Sequence, residues 1–379
     1  MSITVCLRPT NTLSYLNGGG HLSLFLNWAS GLRAAGCRVI WLEEVPPNLE
    51  SSEVRARVKV LKSYLQPHGL AEAVALYTGN GELLPQELSD GCLDLEAAVE
   101  ADLLLNMRYD LPQEVVDRFR RSALVDIDPG LLQVWASKGL INLARHDLYF
   151  SIGETVGRPG ALFPDCGREW HYTPPAVYLP AWRAPPAAAT APYTTVSQWW
   201  GEWLQLGGDW FDNSKRASFL EYLDLPQRTA ARLELALCMG RTTGEEEERR
   251  ALVGKGWSVR DAWDEIPTPD LYHSYVCGSR GEFSCAKRSC MRLQNAWISD
   301  RSLCYLASGK PAVVQHTGPS RFLPDGEGLF RFRSPEEAAR MLAAAEADYQ
   351  RHCRLARALA EEYFDARKVL GRLLERALD

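Results

Sequence analysis

The chain has 379 residues, enough for two domains, and its 46% hydrophobic and 24% charged content is that of an ordinary soluble globular protein. A formal net charge of −6 disfavours a chain-wide nucleic-acid binder, which would normally be basic. No apolar run approaches the roughly 20 residues that cross a bilayer, and the start MSITVCLRP has neither the basic start nor the apolar core of a signal peptide, so a cytoplasmic protein without a membrane span is expected.

The first half alternates strand and helix signals. Ile3 to Leu7 is apolar and β-branched, and Leu22, Phe25, Leu26, Ala29 and Leu32 then recur at helical spacing, with Gly36 placed to close that helix. Arg38 to Glu44 reads as a buried strand, 52–65 as a helix, Val74 onward as a short strand and Asp102 to Asn106 as another. Pro112 to Arg121 is expected to be helical, and Ala123 to Asp128 and Leu148 to Ile152 to be strands. Thr173 to Pro192 carries six prolines and an alanine run and reads as a linker. Strand and helix then resume through YTTVSQW, SKRASFLEYL and LELALCM. The acidic run Glu245 to Glu248 suits the first turn of a helix, and a last clear strand, VVQ, follows Pro311. Ser334-Pro335-Glu336-Glu337 is a capped helix start, after which the chain reads as helical to Leu378.

This pattern gives an α/β protein with two Rossmann-like parallel-sheet domains facing a cleft. An N-terminal domain (1–180) is expected on the acceptor side, with a linker (181–193), a donor-side domain (194–345) and C-terminal helices (346–379) crossing back to the first domain.

Gly18-Gly19-Gly20-His21 stands where the first helix begins, a place where free N–H groups gather. It is a poor dinucleotide fingerprint: its third small position is Ser23, and Arg8 to Asn17 separate the glycines from the first strand. The strand, loop, GGH, amphipathic helix and "AAGCRVIWLE" together resemble the opening of GT-B glycosyltransferases, including the enzyme that adds N-acetylglucosamine to the lipid-linked peptidoglycan precursor. The resemblance places His21 as the general base that takes a proton from the acceptor hydroxyl, as a group titrating near pH 7 can do. It also puts Gly19 and Gly20 close to the sugar of the donor.

"SDRSLCYLASGKPAVVQHTG" is similar to the donor-binding segment of the same fold: a helix ending in A-S-G-x-P, a strand, and a loop with T-G. The resemblance implies that Ser299, Asp300, Arg301 and Ser302 at the helix start, with Thr317 and Gly318, hold the nucleotide diphosphate. Of the basic group before the helix, Arg280, Lys287 and Arg292 are candidates to meet the leaving group. The chain departs from two family patterns. Cys304 and Ala296 occupy the slots of the retaining E-x7-E pair, and the plant-type H-C-G-W-N-S box survives only as Trp297-Ile298-Ser299.

Asp126-Ile127-Asp128 matches the D-x-D metal motif of the other glycosyltransferase fold, but the two-domain layout favours a reading without metal. On a continued strand both acids would point to one side, toward the acceptor or in support of His21. The ten cysteines include no C-x-x-C pair. His273, Cys277, Cys285 and Cys290 form the tightest group and match no common zinc spacing. Twelve tryptophans, several within Ser197 to Phe211, suggest either sheet packing or a platform for a ring-shaped ligand.

The expected function is transfer of a sugar from a nucleotide diphosphate sugar to a small-molecule acceptor, inverting, with no metal, no other cofactor and no nucleic-acid partner. An epimerase of the same architecture, or a non-catalytic nucleotide-sugar-binding relative, is the alternative.

Overall fold

A computed structural model describes residues 2–79, 84–85, 88 and 91–379. The chain divides into two compact units, 1–178 with 365–379, and 179–364. Among the described residues, no helix is long and apolar enough to cross a membrane.

The first unit is built on a seven-stranded sheet of β1 (Thr4–Arg8), β2 (Arg38–Val45), β3 (Val74–Thr78), β4 (Leu103–Asn106), β5 (Ser122–Asp126), β6 (Leu148–Ser151) and β7 (Trp170–Tyr172). Its order is β3-β2-β1-β4-β5-β6-β7, and every pairing is parallel. The chain runs outward from β1 to β3, then returns beside β1 with β4, so the order reverses between β1 and β4. Ligands of open parallel sheets bind beyond the carboxyl ends of the strands at such a reversal. The helix Gly19–Ala34 covers this sheet with Leu22, Phe25, Trp28, Ala29 and Leu32 buried. It closes as its sequence suggests: Gly36 has φ +91°, its N–H reaches Arg33 and that of Cys37 reaches Leu32.

The second unit holds β8 (Tyr193–Gln198), β11 (Leu233–Cys238), β12 (Ser258–Asp261), β13 (Gly281–Ser284), β14 (Ala312–Gln315) and β15 (Leu329–Phe332) in the order β12-β11-β8-β13-β14-β15, again all parallel. The reversal here lies between β8 and β13. An antiparallel hairpin, β9 (Trp203–Leu206) and β10 (Asp209–Asp212), is inserted after β8.

Several expectations shift. The helix expected over Pro112 to Arg121 is one turn, Gln113–Val116, because the chain must extend again to enter β5 at Ser122. The strand expected to reach Asp128 ends at Asp126. Neither β7 nor β15 was expected, and β15 follows the VVQ strand. The proline-rich segment expected to link the domains is held by the second unit instead. Arg280 donates to the Ala187 carbonyl at 2.9 Å and Lys310 to that of Pro185 at 2.7 Å. The expected boundary before residue 346 falls at 365: helices Pro335–Ala347 and Tyr349–Leu359 stay with the second unit, and only the helix Ala366–Leu378 belongs to the first.

That last helix packs on Gly19–Ala34 where a glycine permits close approach. A Cβ at Gly31 would lie 2.5 Å from the Ala366 Cβ and 2.8 Å from a Leu370 methyl. Val369, Leu370, Leu373 and Ala377 are buried in the same core. Gly31→Val therefore overpacks this contact, and chemical denaturation should show a loss of about 1–3 kcal/mol; an unchanged midpoint would contradict the packing described.

Candidate functional site

In the first unit the segment between β1 and the first helix is tightly held. Glu43, 2% exposed on β2, accepts hydrogen bonds from the Thr12 hydroxyl, the Trp41 indole (2.8 Å) and the Leu13 N–H (3.4 Å). The Arg8 guanidinium lies between Glu43 (3.9 Å) and Glu44 (3.4 Å) and is itself buried. Thr10 donates its hydroxyl to the Met107 carbonyl at 2.5 Å. Burial pushes the Glu43 carboxyl up, against the lowering pull of Arg8 and the three donors.

This held loop presents the Thr10 carbonyl to His21, in the first helical turn. The ring nitrogen Nε2 lies 2.6 Å from that oxygen, so Nε2 must carry the hydrogen. A neutral imidazole then has its lone pair on Nδ1. Tyr15 and Phe25 meet the ring edge-on, with centroids 5.6 and 5.2 Å away. Burial lowers the His21 pKa below its ordinary 6.5, opposed by the Thr10 carbonyl and the charge of Asp128. His21 is therefore predominantly neutral at pH 7, the form a general base requires. Of the glycine run, Gly18 caps the helix and its missing side chain makes room for the Tyr15 ring, which a Cβ would approach to 2.3 Å. Gly19 and Gly20 are the first two helical residues.

The two acids after β5 part company. Asp126 is the last strand residue and wholly buried. Its carboxylate accepts from Asp128 N (2.9 Å), Gln133 Nε2 (2.9 Å) and Ser151 Oγ (2.8 Å), while burial raises its pKa to about 7. It cannot touch an acceptor; it positions Asp128. Asp128 lies beyond the strand, where alternation no longer applies, and is half-buried. It accepts from the Tyr109 hydroxyl at 3.2 Å and acts electrostatically on His21. His21 follows β1, Tyr109 follows β4 and Asp128 follows β5, which places the three at the carboxyl edge around the reversal.

In the second unit, a pocket at the carboxyl ends of β13 and β14 is lined by Ser284, Ala286, Trp297, Ser299, Ser302 and Thr317. Ser299 caps the helix Asp300–Ala307, its hydroxyl accepting from Arg301 N at 3.3 Å. The helix dipole places partial positive charge at this end. The two loops above the strands are joined: Thr317 donates its hydroxyl to Trp297 O (2.5 Å) and Thr317 O accepts from Ala296 N (3.1 Å). Gly318, at φ +140°, passes so near Gln294 that a Cβ would lie 2.6 Å from its carbonyl oxygen.

The cations distribute differently from expectation. Arg301 lines this pocket as well, but its guanidinium is engaged: it pairs with buried Glu282 at 2.8 Å and donates to Val196 O and Ser284 Oγ. Arg280 precedes β13 and so lies at the opposite edge of the sheet, paired with Glu346 at 2.7 Å and stacked on Tyr349. Arg292 covers the Phe211 ring at 4.1 Å and braces the hairpin. Lys287 stays near the pocket, after β13 at the start of the helix Arg288–Leu293.

The residue that sequence reasoning missed is Lys215. It follows the hairpin after β8, on the other side of the reversal from β13. It is 8% exposed, donates to the Cys285 carbonyl and stands 5.6 Å from the Trp297 ring centre; both partners line the pocket. Burial, with the repulsion of Arg301, brings its pKa down from 10.5 to about 7. A lysine held this way gains its proton when an anion arrives.

His273 and Cys277 are near each other (3.5 Å), but Cys285 and Cys290 lie elsewhere; among the described residues no group of three or more His, Cys, Asp or Glu could hold a metal ion.

The chain shares its fold with solved glycosyltransferases. Anabaena HepE, solved with UDP, with UDP and glucose, and with UDP-glucose, is 12–13% identical over 99% of both chains, with TM-scores of 0.56–0.57. An alpha-glucosyltransferase solved with UDP and a 13-mer DNA is 10–11% identical over all of both chains, with TM-scores of 0.60–0.62. The architecture is therefore the GT-B one. No family model matches the chain, and no curated protein does.

Lys215 gives a stability signature. Its folded pKa of about 7 lies below its unfolded value near 10.5, so between these pH values the unfolded chain binds more protons and stability rises with pH. In urea titrations the native protein should therefore gain stability from pH 7 to pH 9.5 relative to Lys215→Met. Parallel pH curves would contradict a desolvated ammonium.

Proposed function

We propose that the protein is a glycosyltransferase that takes a sugar from a UDP-sugar and passes it to a small-molecule acceptor by a single, inverting displacement. The observation that carries the reading is the pocket of the second unit, where a serine-capped helix start meets Cys285 and Trp297, the two residues that Lys215 contacts from across the sheet's reversal. Desolvated positive charge near the positive end of a helix is a site for a diphosphate. The likeness in fold to Anabaena HepE and to an alpha-glucosyltransferase, both solved with UDP, supports the choice of nucleotide.

In this mechanism the diphosphate lies against Ser299, Ser302 and the first-turn N–H groups, with Lys215 protonated beside it and Lys287 nearby. As the bond from the anomeric carbon to the diphosphate oxygen breaks, negative charge grows on the leaving group, and these donors stabilise it. His21 accepts the acceptor hydroxyl proton at Nδ1. The Thr10 carbonyl and Asp128 stabilise the imidazolium that forms. Protein cations supply the charge compensation, so the rate should survive EDTA.

A thermal-shift panel of UDP, TDP, GDP and ADP tests the donor site. UDP at 100 times its dissociation constant should stabilise by about 2.7 kcal/mol; no shift with any nucleotide would overturn the reading. With a confirmed donor and acceptor, His21→Ala should lower kcat by about 10²–10⁴-fold while keeping the UDP shift. Because burial lowers the His21 pKa, the acid limb of kcat/KM should fall below pH 6.5. Full activity of His21→Ala would remove it as the base.

A further inference from the structure

The hairpin after β8 carries a surface that the donor pocket does not use. Its turn residues Gly207 and Gly208 have φ of +58° and +96°, the two left-handed positions of a tight hairpin turn. The register pairs Trp203 with Asp212 and Gln205 with Trp210, so these four share one face while Leu204 and Phe211 share the other. Leu204 and Phe211 are buried, whereas Trp203 is 62% and Trp210 63% exposed. Trp203 and Trp210 are diagonal neighbours across the strands, a residue spacing of roughly 7–8 Å that long aromatic side chains can bridge.

The face is fixed in place. Arg292 covers Phe211 from the helix Arg288–Leu293, Ser289 N donates to the Asn213 side chain at 2.8 Å, and the chain passes from the hairpin directly to Lys215. Its chemistry is selective. Asp212 and Gln205 share the indole face, Asp209 lies on the opposite face beside Arg292 (3.9 Å), and neither strand carries a lysine or arginine. Such a surface repels anionic lipid headgroups and nucleic-acid phosphates. A neutral pyranose complements it: its C–H face lies on an indole while its hydroxyls donate to carboxylate and amide oxygens.

We propose that the outer face of this hairpin is a binding platform for a neutral saccharide, and that this saccharide is the acceptor. The second clause rests on the transferase reading; the first does not.

The experiment titrates maltohexaose, cellohexaose, laminarihexaose and chitohexaose into the native protein, Trp203→Ala/Trp210→Ala and Trp203→Phe/Trp210→Phe, following tryptophan fluorescence and calorimetric heat. UDP thermal shifts are recorded on the same samples. The native protein should bind at least one hexaose saturably. The alanine pair should weaken that binding about tenfold or more, the phenylalanine pair should restore part of it, and the UDP shift should be the same in all three. No hexaose binding, undiminished binding by the alanine pair, or tryptophan-dependent binding to phosphatidylglycerol vesicles instead would overturn the platform. Loss of the UDP shift with saccharide binding intact would overturn the donor reading and leave the platform standing.

Discussion

The buried ion pair of Arg301 with Glu282 governs the rest of the second unit's site. Arg301 sits second in its helix, where its guanidinium could have faced a phosphate. It pairs instead with Glu282, which is wholly buried on the adjacent strand. Removing either partner would strand a buried charge, a loss of about 3–5 kcal/mol, so the pair fixes how the helix Asp300–Ala307 lies on the sheet. The helix start then offers the pocket serine hydroxyls and a guanidinium already paired with Glu282. Lys215 stands across the reversal, against the Cys285 carbonyl and the Trp297 ring that line the pocket. Arg301 in turn adds to the effect of burial in depressing the Lys215 pKa.

The first unit follows the same logic with opposite charge. Glu43 is buried, and its oxygens gather a hydroxyl, an indole and a backbone N–H from the loop between β1 and the first helix. The ten residues before the glycines are thus a fixed frame whose Thr10 carbonyl selects the His21 tautomer. Asp126, fully satisfied beneath, holds Asp128 on the side that acts on His21.

What was legible in the sequence was local. Gly36 at the end of the first helix and Ser334-Pro335 at the start of a later one declared themselves because capping depends on a few adjacent residues. The alternation of strands and helices gave both parallel sheets, and the helix start at Ser299 was found by its pattern. Side-chain direction was not legible. Arg280 and Arg301 look equivalent in a basic stretch, but one precedes a strand and the other follows it, and which partner each meets is decided by Glu346 and Glu282. Lys215 resembled any surface lysine of an amphipathic helix; its burial depends on Cys285 and Trp297, 70 and more residues downstream. A strand as short as β7, with three residues, has too few to show a period.

The central claim, that a nucleotide diphosphate binds in the pocket lined by the Ser299 helix start and the two residues that Lys215 contacts, has a direct measurement. UDP is titrated calorimetrically at pH 8 in buffers of different ionisation enthalpy, which reports the protons taken up per ligand bound. With Lys215 largely neutral at that pH in the free protein, the account predicts saturable binding with uptake approaching about one proton, and loss of that uptake in Lys215→Met. Saturable binding with no proton uptake, or uptake unchanged in Lys215→Met, would contradict it.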